Sequence, residues 1–363
     1  MNDGTTFVAK LDAKLDLADH ISNHIPTSLL QAPLEAANEL ARRWSEKQRF
    51  WHGPVHLRTL LERFGSEADA VDRDTLLFAA AYHDAIYDPL GGDNEEASAA
   101  LLLAHAANPA HPVVKRAAEI ITGSKWSEAP TDPLAWKFWE ADCLPLAADF
   151  PLPDRIAYER AVFREYQFAP LEVYRAKRAE FLESWALRFP QHQSGVEVCL
   201  GLLAGLAPRV AIYPGSFNPF HRGHLSILRQ AEQVFDKVII GVAVNRQKPG
   251  AAATLEQRRT ELQARLRFHE VVEIPGLLTD FIADYPAPLS VVRGVRDGTD
   301  LEAELRYSRF LEELRPGTNV VWIGCEAELQ HLSSSAIREL ESIAASAGAR
   351  YIPNTREIYN LIE

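Results

Sequence analysis

Val210-Ala211-Ile212-Tyr213-Pro214-Gly215-Ser216-Phe217-Asn218-Pro219-Phe220-His221-Arg222-Gly223-His224 decides the architecture of the second half of this 363-residue chain. The apolar run Val210 to Tyr213 predicts a buried strand, Pro214 and Gly215 end it, and Leu225, Ile227 and Leu228 open an amphipathic helix. A strand, a loop and a helix in that order aim the free N–H groups of the first helical turn at whatever lies over the strand's carboxyl end, which suits an anion. His221 and His224 stand at the helix start, and Gly223 between them predicts close approach of a phosphate to the backbone. Two imidazoles beside a helix terminus stabilise charge that develops on a phosphoryl group.

Outward from this stretch, five apolar β-type runs alternate with helical patterns: Val210 to Tyr213, Val238 to Val244, Val271 to Ile274, Leu289 to Arg293 and Val320 to Gly324. The alternation predicts a five-stranded parallel sheet covered on both faces, with ligands at the carboxyl ends of its strands. Lys248 follows the second strand in a loop at that edge, before Thr254 and Gln257, which have capping-box spacing. After the third strand, Leu277 and Leu278 are placed to line an apolar pocket. Arg293 and Arg296 follow the fourth and can grip separate phosphates, ahead of a helix that bears Glu304. After the fifth, Ser333, Ser334 and Ser335 over free helical N–H groups predict a second phosphate cradle.

The opening stretch resembles the nucleotidyltransferase superfamily whose members carry a His-x-Gly-His or Thr-x-Gly-His motif. The whole set over residues 209 to 356 is most similar to the phosphopantetheine adenylyltransferase family, with a Rossmann-like fold. The resemblance implies that His221, His224, Lys248 and Arg296 carry catalysis. It implies nucleotide contacts at Ser216, Phe217, Gly223, His224, Arg296, Glu304, Ser333, Ser334 and Ser335, and acceptor contacts at Ser216, Lys248, Leu277, Leu278 and Arg293. It further implies ATP with Mg²⁺ as donor and a small phosphorylated acceptor, and allows a homo-oligomer without fixing its size. His221 replaces the threonine common in that family, Asn218 its usual aspartate, and Leu311-Glu312 its Asn-Arg pair. The last departure leaves the acceptor open. The Gly-Ser-Phe-Asn-Pro loop with a full His-x-Gly-His also suits the pyridine-nucleotide adenylyltransferases, and CTP stays open as donor.

The first half shows helical periodicity without strand signals. Pro54 suits a first helical position ahead of Leu57, Leu60, Leu61 and Phe64, with His52 just before that helix and His56 in its first turn. Asp74 is placed to cap an apolar helix that carries His83 and Asp84, and Asp142 ends another. Burying such an ionisable pair is costly unless a metal ion compensates. A histidine, a His-Asp pair and a distant Asp resemble the HD superfamily of metal-dependent phosphohydrolases over residues 45 to 190. By position, the resemblance implies that His52, His83, Asp84 and Asp142 hold one divalent transition metal, Mn, Fe, Co, Ni or Zn. His56 reads as a core histidine or a substrate contact.

The expected organisation is therefore an all-helical HD-type domain over residues 1–207 and a nucleotidyltransferase domain over 208–363. Residues 1–30 show little period and suggest no role. A net charge of -12 argues against a nucleic-acid surface. No apolar run reaches membrane-span length, and three well-separated cysteines fit a reducing cytoplasm. The expectations comprise a bifunctional transferase and phosphohydrolase, a transferase with a structural or regulatory metal domain, and an inactive nucleotide-binding regulator. Which phosphate ester the first half would hydrolyse is left open.

Overall fold

The computed structural model describes residues 16–243 and 254–362. These fall into two compact units: 16–165 with Ala176–Gly205 and 360–362, and Tyr166–Arg175 with the described residues of 206–359. Tyr166–Arg175, expected in the helical domain, thus falls in the second unit. Among the described residues, no helix is long and apolar enough to cross a membrane.

The first unit is helical. Its early helices are α1 (Leu17–His24), α2 (Pro33–Trp44), α3 (Pro54–Gly65) and α4 (Ala70–Tyr82). Then come α5 (Asn94–His105), α6 (Pro112–Gly123), α7 (Pro133–Asp142) and α8 (Leu152–Glu165). Helix α9 (Leu171–Arg188) begins in the second unit's segment, and α10 (Gln193–Ala204) follows it. Thr75 to Tyr82 are buried without a break, so α4 is the apolar axis around which α3, α5, α6 and α7 pack. It starts five residues earlier than a cap at Asp74 predicts, because Asp69, not Asp74, accepts the N–H groups of Val71 and Asp72. It also ends at Tyr82, which leaves His83 and Asp84 in the turn beyond it.

The second unit holds β1 (Val210–Gly215), α11 (Arg222–Val234), β2 (Lys237–Ala243), α12 (Leu255–Arg265), β3 (Val271–Ile274) and α13 (Leu278–Asp284). It continues with β4 (Leu289–Val295), α14 (Gly298–Leu314), β5 (Asn319–Gly324), α15 (Ser334–Ile343) and α16 (Thr355–Tyr359). The five strands are all parallel in the order β3-β2-β1-β4-β5, a Rossmann-like sheet. Strand order reverses between β1 and β4, and in open sheets the crevice beyond that switch point takes the ligand. His221 and His224 stand at the start of α11 after β1, Arg293 lies near the end of β4, and Arg296 just beyond it.

Val210, Ile212, Ile239, Val291 and Leu311 pack one face of the sheet, with Leu278 among them. At the opposite end from the crevice, the Lys237 ammonium is wholly buried and bound to the carbonyls of Gln167 and Ala169, each at 2.6 Å, and to Glu270 at 2.7 Å. This lysine stitches Tyr166–Arg175 onto the sheet.

Candidate active site and metal centre

A cleft of about 310 Å³ opens at the switch point of the second unit. His221, His224, Arg293, Arg296, Glu304, Ser333, Ser334, Ser216, Phe217 and Gly223 all line it, together with Asp300, Tyr213 and Cys325. The two imidazoles stack with ring centroids 3.7 Å apart. The His221 amide N–H donates to His224 Nδ1 at 3.2 Å; that nitrogen must accept, so the proton of a neutral His224 ring sits on Nε2. His221 Nδ1 is buried without a hydrogen-bond partner. Burial pushes the His221 pKa down to about 4 with help from the Arg296 charge. Burial, then His221 and Arg296, hold His224 well below the ordinary imidazole value. Both rings are therefore neutral near pH 7, each with one N–H to give.

Gly223 serves the pair more than a ligand: a Cβ there would stand 3.1 Å from His221 Cε1 and Nδ1. Phe217 has φ of 44°, in the left-handed region, and its ring folds back over Gly215 and meets the His224 ring edge-on at 5.1 Å.

Each arginine of the cleft is matched by a carboxylate that accepts two of its hydrogen bonds. Arg293 gives Nε and Nη2 to Glu304 at 2.6 and 2.7 Å, and Arg296 gives Nε and Nη2 to Asp300 at 2.6 and 2.9 Å. Glu304, expected at the nucleotide, thus acts first on Arg293. Asp300 was not singled out in the sequence; it lies in the first turn of α14 and reaches back to Arg296, which precedes the helix.

The serine cradle divides. Ser333 caps α15 by accepting the Ala336 N–H at 3.1 Å, Ser334 gives its hydroxyl to the Pro219 carbonyl at 3.0 Å, and both line the cleft. Ser335 does not line it; its Oγ accepts from Arg338 at 3.3 Å. Leu277 and Leu278 are also absent from the cleft wall, contrary to expectation: Leu278 is in the core and Leu277 is exposed. An apolar pair after a strand serves packing before it serves a ligand. Lys248 lies outside the described residues.

In the first unit, ligand-type atoms of His56, His83 and Asp84 lie within 4.8 Å of one another. Asp142 joins them, its Oδ1 3.2 Å from His56 Nε2 and 3.5 Å from His83 Nε2. His83 Nδ1 donates to the Ala80 carbonyl at 3.1 Å, which leaves Nε2, 3.2 Å from Asp84 Oδ2, as the ring position a cation would take in place of a proton. That Nε2 is buried and makes no aligned hydrogen bond, so two imidazoles and two carboxylates converge as a cation's ligands do. Burial disfavours charge here, yet Asp84 and Asp142 together hold His83 well above its ordinary pKa. Burial pushes Asp84 up, but the charge and hydrogen bond of His83 together with the His52 charge bring it down to about 2. Burial also pushes Asp142 up, but the hydrogen bonds and charges of His56 and His83 together hold it well below the carboxylate range.

His56, not His52, supplies the histidine of α3, a correction to the expected ligand set. His52 Nδ1 is bound to Glu165 Oε2 at 2.7 Å, and its ring stacks on Tyr87 at 4.6 Å. Glu165, 1% exposed, also accepts the N–H groups of Phe50, Trp51 and His52 and the Tyr87 hydroxyl. The Trp126 indole N–H orients Asp142 through Oδ2 at 2.9 Å. Glu165 and Trp126 were missed in the sequence; an acid and an indole within ordinary helical patterns carry no signal of their own.

Residues 212–340 match the cytidylyltransferase-like family. The phosphopantetheine adenylyltransferase of Clostridium botulinum (strain Alaska E43 / Type E3) is 38% identical over 136 residues, which are 36% of this chain and 84% of that protein. That of Mycoplasma mycoides subsp. mycoides SC is 38% identical over 136 residues, 37% of this chain and 96% of that protein. The solved structure of a lipopolysaccharide core biosynthesis protein from Thermoplasma volcanium GSS1 is 19% identical with a TM-score of 0.27, covering 33% of this chain and 99% of that one.

Proposed function

Through its second unit the chain belongs to the cytidylyltransferase-like nucleotidyltransferases, and from that premise we propose that it transfers an adenylyl group from ATP to a phosphate-bearing acceptor of the phosphopantetheine type. One observation carries the reading: both imidazoles, both arginines and the Ser333-Ser334 turn share a single cleft at the switch point of the sheet. An acceptor phosphate oxygen forms a bond to the α-phosphorus, while the α-phosphorus bond to the bridging oxygen breaks and its electron pair leaves with pyrophosphate. A phosphate nucleophile is already ionised near neutral pH, so the chain's task is position and charge stabilisation. His224 Nε2–H and the His221 ring give N–H groups to α-phosphate oxygens as charge builds there. Arg296 and the α15 N-terminus hold the outer phosphates, and Arg293 with Glu304 fixes the acceptor side. Mg²⁺ bound with the ATP would neutralise the polyphosphate charge.

The test is pyrophosphate release by the whole chain with ATP or CTP against phosphopantetheine, nicotinate mononucleotide and nicotinamide mononucleotide. Release with ATP and phosphopantetheine alone is the expected pattern. Release with a mononucleotide instead would move the assignment to pyridine-nucleotide adenylyl transfer.

A second activity is favoured by the convergence of His56, His83, Asp84 and Asp142. These four fit one divalent transition metal and make the first unit a candidate phosphohydrolase. When bound, such an ion supplies an activated water for attack on a phosphate ester. Around it His52, held by Glu165, stands ready to exchange a proton with substrate, and Trp126 keeps Asp142 in place. Metal analysis of purified protein, followed by a screen of phosphate monoesters and nucleotides, tests it; a metal-free preparation that binds none on titration would end this reading.

A further inference from the structure

The loop between β1 and α11 is held from outside the cleft. Arg258, in the first turns of α12 and 9% exposed, donates Nη1 to the Ser216 carbonyl at 2.9 Å and reaches the Ala243 carbonyl at 3.4 Å. Arg338 on α15 donates to the Asn218 carbonyl. With Ser334 on the Pro219 carbonyl, three loop carbonyls are each bound by a side chain from another helix. The loop needs such restraint because Phe217 sits at φ of 44°, a sparsely populated conformation for an aromatic residue that persists only when its surroundings fix it.

Peptide planarity gives the Arg258 bond a functional sense. Across a trans peptide the N–H of Phe217 points opposite to the Ser216 carbonyl. Ser216 and Phe217 line the cleft whereas Arg258 and Arg338 do not. The Arg258 guanidinium, by drawing the Ser216 carbonyl outward, therefore turns the Phe217 amide donor inward, toward the place of the phosphates; at Asn218 the next residue is Pro219, so Arg338 fixes the loop without setting a donor. Arg258 also ties this loop to the exit of β2 at Ala243, so one side chain sets the spacing of two loops at the ligand edge of the sheet.

We propose that Arg258 and Arg338 are positioning residues of the transferase: they act through the Ser216–Asn218 backbone and touch no substrate, Arg258 by turning the Phe217 N–H toward the nucleotide phosphates and Arg338 by anchoring the loop at Asn218, whose peptide to Pro219 carries no N–H. The kinetic part of this inference rests on the transferase reading. Full-length R258M, R258K and R338A variants are compared with wild type by calorimetric titration of ATP with Mg²⁺, by pyrophosphate release with ATP and phosphopantetheine, and by thermal unfolding. Arg338 is exposed, so R338A should keep the wild-type unfolding temperature even where the buried R258M does not fold. Expected results are about 10-fold weaker ATP binding for R338A, as for loss of a hydrogen bond to a charged group. Turnover falls by up to about 100-fold from misplaced reacting groups. R258K, which keeps a donor for one carbonyl, should lie between wild type and R258M. KM for ATP rises together with the fall in kcat, whereas loss of folded protein alone would lower kcat and leave KM unchanged.

Wild-type ATP affinity in R338A, together with wild-type turnover in R258K, overturns the proposal. If wild type binds ATP but releases no pyrophosphate, the acceptor assignment has failed and the ATP titrations still decide the positioning role. If wild type binds no ATP, both fall.

Discussion

His221 and His224 lie ring over ring, their planes only 26° apart, with the second ring's Nδ1 engaged by the first residue's own amide. The pair is thus fixed by backbone geometry at the start of α11, and each ring faces the cleft with a defined role. Replacing His224 by Ala removes the Nε2–H donor and should lower kcat by about 10²- to 10³-fold, as loss of one oxyanion donor does. Steady-state pyrophosphate release measures it; a kcat within a factor of three of wild type in a folded variant would exclude His224 from the chemistry.

The same two rings should make stability pH-dependent. In the fold, burial lowers the His221 pKa from 6.5 to about 4 and puts His224 well below its ordinary value. Between those values the unfolded chain binds protons that the folded chain refuses, so this contribution is complete above pH 6.5 and is lost as pH falls toward 4. Unfolding temperature should drop over that window, and the drop should be smaller in a doubly substituted H221N/H224N chain. An equal drop in both proteins would show that other groups control acid unfolding.

Arg293 is bound by both oxygens of Glu304 and lies 4.9 Å from the Tyr307 ring. A lysine cannot present that planar fork, so R293K should lose acceptor binding even though charge is kept. A rise of about 10-fold or more in the acceptor KM, with the ATP affinity little changed, is the expected signature. A parallel loss of ATP affinity would place Arg293 on the nucleotide instead.

How far these features could be read from the sequence depended on the distance over which each is decided. The strand-loop-helix around His221 and His224 was legible because turn breakers, apolar periodicity and polar chemistry all fall within fifteen residues of one another. The parallel sheet was legible for the same reason, since each strand announces itself by a local β-branched run. The choice between His52 and His56 was not: both stand at the start of α3, and the deciding partner is Glu165, 113 residues from His52. Leu278 failed as a cleft residue because an apolar side chain after a strand looks alike whether it packs inward or faces a ligand. An HD-type domain was an expectation from motif resemblance alone, and what the folded chain adds is the convergence of His56, His83, Asp84 and Asp142 from α3, the turn after α4 and α7.

That convergence predicts different fates for the two histidines near α3. H56A and H83A should lose bound metal, because each removes a ring nitrogen from the cluster, whereas H52A should retain it. Metal content after dialysis, read by mass spectrometry, distinguishes them. For a preparation with metal at about 100 times its dissociation constant, chelation should remove about 2.7 kcal/mol of stability. Metal loss in H52A but not in H56A would restore His52 as the ligand.

Lys237 offers the sharpest test of how the second unit is built. Its ammonium is wholly buried and satisfied by two carbonyls of Tyr166–Arg175 and by Glu270, whose side chain is 13% exposed. Burial lowers its pKa, and the ion pair with Glu270 opposes that shift. In K237M the Glu270 carboxylate and both carbonyls are left without their donor, and breaking such a pair from one side costs about 3–5 kcal/mol. Urea unfolding of the full chain should show that loss, and K237M/E270Q should recover part of it, since the stranded charge is then removed. A chain that begins at residue 208 lacks Gln167 and Ala169 and leaves Lys237 buried without their carbonyls. It should unfold at lower urea than one that keeps Tyr166–Arg175, and equal midpoints would mean that this segment is not part of the transferase fold.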